Sequence, residues 1–496
     1  MTVQEARAFA DDGGLLGDRW HGRAFTGAWE ALGRAVEVRE PATGARLGEI
    51  AVAAPEDVAR SSAAARAAQA AWFALPYDER SEVMRKAAEI TEARFSEIVD
   101  WIVRESGSIP AKAEYELAVT IKMLRICSAM PREAQGQVLP AEAGRLSIAR
   151  RRPLGVVGVI APFNFPLYLA IRAVAPALAV GNAVVLKPDT RTAVCGGVVI
   201  ARIFEEAGLP AGVLHVLPGE ADAGAAMCSD PNVAMIQFTG STEAGRKVGE
   251  LAGKHLKKVS LELGGKNATI VLDDADIALA VKNAKWGAYL HQGQICMASG
   301  RILVQRSIAE ALTAALAAGT EHLPVGDPAS GAVALGPMIG AGQVAQALAV
   351  LDAAAAEGAT IRAGGTADGL FFKPTVLADV TPGMRAYREE IFAPVAVVTV
   401  FDTDEEAIEL ANAGDFGLSA GILTNSIERA LAIADRLEVG LLHINDQTVN
   451  EEVVNPFGGT IGGSGNGVSI GGPANWEAFT HWQWLTLKGR PPAYPL

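Results

Sequence analysis

Residues 155–189 read GVVGVIAPFNFPLYLAIRAVAPALAVGNAVVLKPD. The run 155–160 is apolar and β-branched without alternation, the pattern of a strand buried on both faces. Residues 166–180 then predict a helix that opens on a proline. Residues 183–186 are again a short apolar run bounded by turn signals, and so a second buried strand. The alternation continues outward from this stretch. Residues 192–207 predict a helix and 213–217 a strand. Residues 235–238 and 259–261 predict strands on either side of a helix at 243–251. Strand and helix taking turns at this spacing imply a parallel sheet with helices on both faces. In such sheets ligands bind at the carboxyl ends of the strands.

A second alternating unit starts near Gly264. Helices are expected at 277–290 and 308–318, flanking a strand at 302–305, with further strands at 395–401 and 441–444. Residues 458–472 are rich in glycine and must be loop. Upstream, residues 1–55 read as loops and strands, and 56–127 as helices with apolar positions such as Ile90, Ile98 and Ile102 at helical spacing. Residues 138–148 break into strand-like pieces. Residues 482–487 alternate like a strand, and a strand so near the terminus needs a partner. That partner is expected across a subunit boundary. The chain thus divides into two α/β units plus a small β attachment. The first unit takes 1–130 and 153–262, the second takes 263–479, and the attachment takes 131–152 and 480–496.

Half of the 496 residues are apolar and 20% are charged, the balance of a globular chain. The net charge of −13 argues against a nucleic-acid surface. The basic runs at 150–152 and 254–258 are short and read as solvated strand or helix faces. Glu5, Asp11 and Asp12 give an acidic start, unlike a secretory signal. The apolar stretches are too short to span a bilayer. Four scattered cysteines (Cys127, Cys195, Cys228 and Cys296) form no CxxC pair, and no metal site is expected. A long, cysteine-poor chain fits a reducing cytoplasm with free thiols.

Four positions carry chemistry. Cys296 lies past a helix in QGQICMAS (292–299), among small and polar neighbours that would let a substrate reach its sulfur. Glu262 ends a strand before Leu-Gly-Gly, where a partly buried carboxylate with a raised pKa would serve as a general base. Asn164 sits between two phenylalanines and two prolines in PFNFP, so its amide is held and could donate to an oxyanion. FTGST (238–242) joins a strand to a helix, where backbone N–H groups would face a phosphate. Taken singly, each has a plainer reading: a buried structural cysteine, a solvated loop acid, a turn asparagine, an ordinary helix cap. No GxGxxG is present.

Together these residues resemble the aldehyde dehydrogenase superfamily over nearly the whole chain. PFNFP (162–166), LKP (186–188), FTGST (238–242), ELGGKN (262–267), GQIC (293–296), EEIFAPV (389–395) and NPFGG (455–459) occur in the family's order and approximate spacing. The resemblance implies two Rossmann-like parallel-sheet domains, one for cofactor and one for catalysis, with a small β attachment used in oligomerisation. It implies that Cys296 attacks an aldehyde as a thiolate. The Asn164 amide and the Cys296 N–H would hold the oxyanion. Hydride would leave to a nicotinamide, and Glu262 would activate the water that hydrolyses the thioester. Lys187 matches the lysine on the adenosine ribose, Gly240 and Ser241 the pyrophosphate turn, and Glu390 and Phe392 the nicotinamide contacts. Lys266 and Asn267 are structural by the same resemblance.

Two departures qualify this. Many NAD-specific members carry a glutamate three positions after the ribose lysine, and here Thr190 stands there. Threonine does not repel a 2′-phosphate, which leaves NADP open, whereas the adjacent Asp189 favours NAD. NAD is the expected main cofactor. Secondly, relatives acting on aliphatic aldehydes often carry an aromatic residue near Arg172. Residues 162–189 instead resemble the benzaldehyde, salicylaldehyde and vanillin dehydrogenase branch. An aromatic aldehyde would fit a pocket of Phe165, Leu169, Arg172, Ile295, Met297 and Phe457, with Arg172 stacking on the ring or bonding a substituent, or else pairing with an acid at the surface. The alternatives are aliphatic or semialdehyde substrates, acylation of CoA (which Glu262 opposes), and a non-catalytic binding or structural homologue. The resemblance suggests a homodimer or homotetramer.

Overall fold

The computed structural model describes residues 14–495; residues 1–13, with the acidic Glu5, Asp11 and Asp12, and residue 496 lie outside. Two seven-stranded sheets and a smaller three-stranded one organise the chain. The first sheet runs Lys258–Glu262, Val233–Thr239, Val156–Ile160, Ala183–Lys187, Leu214–Val216, Arg23–Phe25, Trp29–Ala31. Its first five strands are parallel. The two N-terminal strands add antiparallel at the edge and cover it. Val156–Ile160 is buried throughout, as its unbroken apolar run requires. The helix Pro166–Ala179 that follows is likewise buried along its length.

The register places the site. Thr239 pairs with Glu262, Phe238 with Ile160, and Ile160 with Lys187. Four strands therefore end nearly level, and the loops after them open on one edge.

The second sheet runs Thr360–Ala363, Thr375–Ala378, Val395–Phe401, Arg301–Gln305, Ala268–Val271, Ser419–Leu423, Leu441–Ile444. All neighbours are parallel except the first pair. Separate apolar clusters form around Leu303 and Val397 and around Ile302 and Val398, because successive side chains of a strand face opposite ways. The α/β class with two parallel sheets is as the sequence implied. Ala268–Val271, Ser419–Leu423 and the helix Ala341–Ala356 were not anticipated. The two strands are four and five residues long, too short for periodicity to declare them.

Two local expectations need correction. The helix expected over 192–207 is a 3₁₀ turn at Thr190–Thr192, a π turn at Val194–Val198, and an α-helix only from Val199–Glu206. The buried Glu105 carboxylate accepts the Val194 and Cys195 N–H groups at 2.8 and 2.7 Å and so satisfies donors at the start of this helical stretch. The tail strand Thr480–Lys488 finds its partner inside its own chain. It pairs antiparallel with Arg145–Pro153, and Gly136–Val138 completes that sheet. Its outer edge has no strand partner among the described residues, and Trp482, Trp484 and Leu487 are exposed on it.

Asn182 fastens this tail to the first sheet. Its Oδ1 accepts from the Gly155 N–H at 2.9 Å, and its Nδ2 donates to the carbonyls of Ala177 (3.1 Å) and Phe479 (2.9 Å). Asn182→Ala would strand these buried groups at a cost of about 1–3 kcal/mol. The expected result is a lower urea midpoint at unchanged slope; an unchanged midpoint would refute the anchoring role.

Candidate active site

Cys296 lies in the loop between the helix Ile277–Tyr289 and the strand Arg301–Gln305. The loop enters through left-handed residues, His291 (φ 49°) and Gln292 (φ 57°), an uncommon conformation for side chains of this size. Packing holds it there. Gln292 Nε2 donates to the carbonyls of Gly107 (3.1 Å) and Pro337 (2.7 Å). Asn267 Nδ2 donates to the carbonyls of Cys296 and Ala298, both at 2.8 Å, while its Oδ1 accepts the Ser419 N–H at 2.9 Å. Gly265 must be glycine, since a Cβ would collide with the Cys296 carbonyl, and a Cβ at Gly264 would push the Glu390 carboxylate aside. The ELGGKN sequence is thus the seat of this loop.

The sulfur is partly accessible, unlike Cys127, Cys195 and Cys228, which are buried. Burial pushes the Cys296 thiol up to about 12, against the pull of the Arg172 charge, with Glu390, Glu262 and Glu451 adding to the rise. Burial thus favours the thiol, and the attacking thiolate that the resemblance implied needs a base to take its proton. Its own N–H donates to no protein acceptor among the described residues.

Asn164 approaches from the other sheet, in the loop after Val156–Ile160. Its Nδ2 donates to the Gln294 carbonyl at 2.8 Å, which leaves its second amide hydrogen for another acceptor. Lys112, fully buried and paired with Glu116 at 2.6 Å, donates to the Asn164 carbonyl at 2.7 Å. Glu116 Oε1 in turn accepts the Leu167 and Tyr168 N–H groups that open the helix. The motif PFNFP gave no hint of this pair.

Glu262 is buried, and neither carboxylate oxygen has a hydrogen-bond partner among the described residues. Burial raises it to about 8, the Arg172 charge pulls it down, and Glu451 pushes it up. It packs near Gly458 and lies outside the walls of both cavities described next. Its carboxylate form can take a proton from water brought beside it.

Two cavities meet at Asn164, Leu169 and Cys296. The larger, about 810 Å³, runs along the strand ends of the first sheet and holds Lys187, Asp189, Gly240, Ser241, Glu390 and Phe392 in its wall. Ser241 caps the helix Thr242–Lys254, accepting from the Ala244 N–H at 3.3 Å, so the positive helix end faces the cavity. Glu390 accepts the Gly265 N–H at 2.9 Å and is raised by burial to about 7. Lys187 donates to the Gly219 carbonyl at 2.7 Å. A long cleft with a cation, a helix N-terminus and a carboxylate in sequence suits a dinucleotide. Thr190 is not in its wall, but Arg191 is. Asp189 is bound by Arg191 through both oxygens, at 2.8 and 2.7 Å, so it is less free to meet a ribose than the sequence suggested. Arg191 also stacks on Phe163, 4.3 Å from the ring centre, and sequence gave no signal for it.

The smaller cavity, about 450 Å³, is lined by Phe165, Leu169, Ile295, Met297 and Phe457, with Trp286, Tyr115, Tyr168 and Glu451. Arg172 is placed differently from expectation. It lies behind this wall, 1% exposed, with Nη1 on Glu451 Oε1 at 2.9 Å and its guanidinium 4.2 Å over the Phe457 ring. Its stacking face is taken by Phe457, and it pairs with an acid in the interior, not at the surface. Glu451 was missed. The available signal was Arg172 itself, a charge in an otherwise apolar helix that demands a partner. Among the described residues no cluster of His, Cys, Asp or Glu could hold a metal ion.

Residues 29–485 match the aldehyde dehydrogenase family. The chain is 53% identical to a vanillin dehydrogenase of Amycolatopsis sp., covering 98% of this chain and all of the relative. It is 49% identical to the benzaldehyde dehydrogenase [NAD(+)] of Pseudomonas putida, covering 96% and 98%. Among solved structures it superposes on the betaine aldehyde dehydrogenase of Staphylococcus aureus in complex with NAD+, with TM-score 0.93 and 29% identity over 97% of each chain. The chain belongs to the aldehyde dehydrogenase family and is an NAD(P)-dependent oxidoreductase of aldehydes.

Asn267 positions the Cys296 loop through three hydrogen bonds, and a displacement of roughly 1 Å can cost about 10²-fold in rate. Asn267→Ala is expected to lower kcat by about tenfold or more while cofactor affinity changes little. Equal kcat in steady-state assays would remove Asn267 from this role.

Proposed function

We propose that this enzyme oxidises aromatic aldehydes of the benzaldehyde and vanillin type to carboxylic acids, with Cys296 as nucleophile. The observation that carries the reading is the meeting of the two cavities at Asn164 and Cys296. A dinucleotide in one and an aldehyde in the other would both reach the sulfur. The walls of the smaller cavity are flat and apolar (Phe165, Trp286, Phe457), which suits a ring. The similarity to vanillin and benzaldehyde dehydrogenases points the same way.

In this mechanism Cys296 Sγ attacks the aldehyde carbon and its proton passes to Glu262, directly or through water. The free Asn164 amide hydrogen and the Cys296 N–H hold the oxyanion. Nicotinamide, when bound, supplies the hydride acceptor. Loss of hydride from the tetrahedral carbon leaves a thioester on Cys296. Once Glu262 has released that proton to solvent, its carboxylate takes a proton from water, which attacks the thioester; the Cys296 thiolate leaves with release of the acid, and the proton held on Glu262 returns to it to restore the thiol. Lys187, the Ser241 turn and Glu390 would hold the cofactor's ribose, pyrophosphate and nicotinamide ribose, beside Gly240 and Phe392. NAD is the main cofactor in this reading. NADP is accepted as well, because Lys187 and Arg191 offer positive charge while Asp189 is already paired.

Domain roles follow the residues. Segments 1–130 and 153–262 bind the cofactor, 263–479 carry catalysis, and 131–152 with 480–496 serve subunit contacts in a homodimer or homotetramer. The exposed tryptophans of the tail strand support that last assignment. A cytoplasmic setting suits four free thiols. No described helix is long and apolar enough to cross a membrane.

The test is a kinetic panel of benzaldehyde, salicylaldehyde, vanillin and a short aliphatic aldehyde, each with NAD and NADP. The aromatic substrates should show the higher kcat/KM, and Arg191→Ala should weaken NADP more than NAD. A preference for the aliphatic aldehyde would overturn the substrate class.

The roles of Cys296 and Glu262 separate in transient kinetics. Cys296→Ala should abolish turnover and leave cofactor binding intact. Glu262→Gln should keep the hydride burst and slow the steady state by about 10²-fold or more. Glu262 is raised to about 8 and acts as a base only when ionised, so the wild-type steady-state rate should climb through pH 8. That limb should vanish in Glu262→Gln; its persistence, or loss of the burst, would contradict the assignment.

A further inference from the structure

Two donors converge on one oxygen of Glu451. Arg172 Nη1 and the Tyr168 hydroxyl both reach Oε1, at 2.9 and 2.7 Å. Among the described residues Oε2 accepts no hydrogen bond. Glu451 lines the cavity that contains the Cys296 sulfur, whereas Arg172 stands behind it. The neighbouring amides are committed elsewhere: Asn450 donates to Asp446 Oδ2 at 3.0 Å, and Gln447 bonds the Val449 carbonyl and N–H at 3.0 and 2.6 Å. A largely apolar cavity thus carries a carboxylate clamped at one oxygen, with the other acceptor unspent and open to a ligand that donates to it.

Resting on the aromatic reading above, we infer that Glu451 Oε2 accepts the hydroxyl proton of a ring-hydroxylated benzaldehyde and makes Glu451 the specificity residue for phenolic aldehydes. A carboxylate only accepts. It therefore favours a neutral phenol, gains nothing from a methyl ether at the same ring position, and repels a phenolate. Arg172, outside the cavity wall, and Tyr168, within it, both hold Oε1 and so position the carboxylate. A site built to bond a substrate hydroxyl discriminates strongly against analogues lacking it.

The experiment compares kcat/KM for benzaldehyde, its 2-, 3- and 4-hydroxy isomers and the matching methoxy compounds. In the wild type, one hydroxy isomer should exceed both benzaldehyde and its own methyl ether by about tenfold or more. In Glu451→Gln that ratio should fall about tenfold, and in Tyr168→Phe, which keeps the ion pair and guards against a folding failure, it should fall less but in the same direction. As pH rises and the phenol ionises, the ratio should drop more steeply in wild type than in Glu451→Gln. Loss of carbonyl reactivity is common to both enzymes, so the difference reads the charge at Glu451. The ionisable groups around Glu451 are Arg172 and Tyr168, which bond it, Tyr115, Lys112, Asp446 and Cys296 in the same cavity wall, and Glu262 outside it. They act on both substrates and cancel in the ratio. A wild type blind to hydroxylation, or ratios and pH slopes unmoved in both variants, would reduce Glu451 to a counter-ion for Arg172. Turnover of aliphatic aldehydes with no benzaldehyde accepted would instead sink the aromatic reading, and this inference with it.

Discussion

The bond from the Asn164 amide to the Gln294 carbonyl, 2.8 Å long, joins loops that belong to different sheets. The proposed oxyanion donor stands at the carboxyl edge of the first sheet. The thiol stands on a loop that enters the amino end of a strand in the second. Their separation is set by this contact, and everything around it stiffens one partner or the other. Lys112 and Glu116 brace the asparagine side, while Asn267 and Gln292 brace the cysteine side. Buried polar side chains are costly unless fully bonded, so a misfolded version of either loop would expose several unsatisfied groups at once.

Charge at the centre is arranged around one cation. Burial disfavours ionisation of both Cys296 and Glu262, and in each the Arg172 guanidinium opposes that trend. Burial thus works against ionisation at the two groups that must lose a proton in the proposed reaction. A protonated thiol is a poor target for oxidants. The remaining cysteines are protected in the same way, since burial raises each of them, Cys228 to about 11.

Sequence revealed the strands whose apolar runs are unbroken, because burial on both faces leaves no other composition open to them. Val156–Ile160, Ala183–Lys187 and Val395–Phe401 are of this kind. It also pointed to Cys296, Glu262 and Asn164, whose local motifs are turns that few residues can make. It did not reveal Glu451, Lys112 or Arg191. Their significance arises only from partners far along the chain, as in the pairing of Arg172 with Glu451. The rule that ligands gather at carboxyl strand ends fits Lys187, which lines the larger cavity, whereas Glu262 ends its strand outside both cavities. The rule does not describe Cys296, Glu390 and Phe392, which lie before the strands they precede. The helix expected at 192–207 is present, but its π turn and the Glu105 carboxylate that binds its first N–H groups were not legible for the same reason.

The pairing of Thr480–Lys488 with Arg145–Pro153 has a consequence for biosynthesis. The two strands are separated by roughly 330 residues, and a ribosome adding about 5–20 residues per second needs roughly 15–65 s to cross that interval. Throughout it, the strand from Arg145 must wait with only Gly136–Val138 beside it and one face of its ladder unsatisfied. Its arginines at 150–152 give that waiting edge a positive charge, which discourages two nascent chains from joining there before each has made its own closing strand.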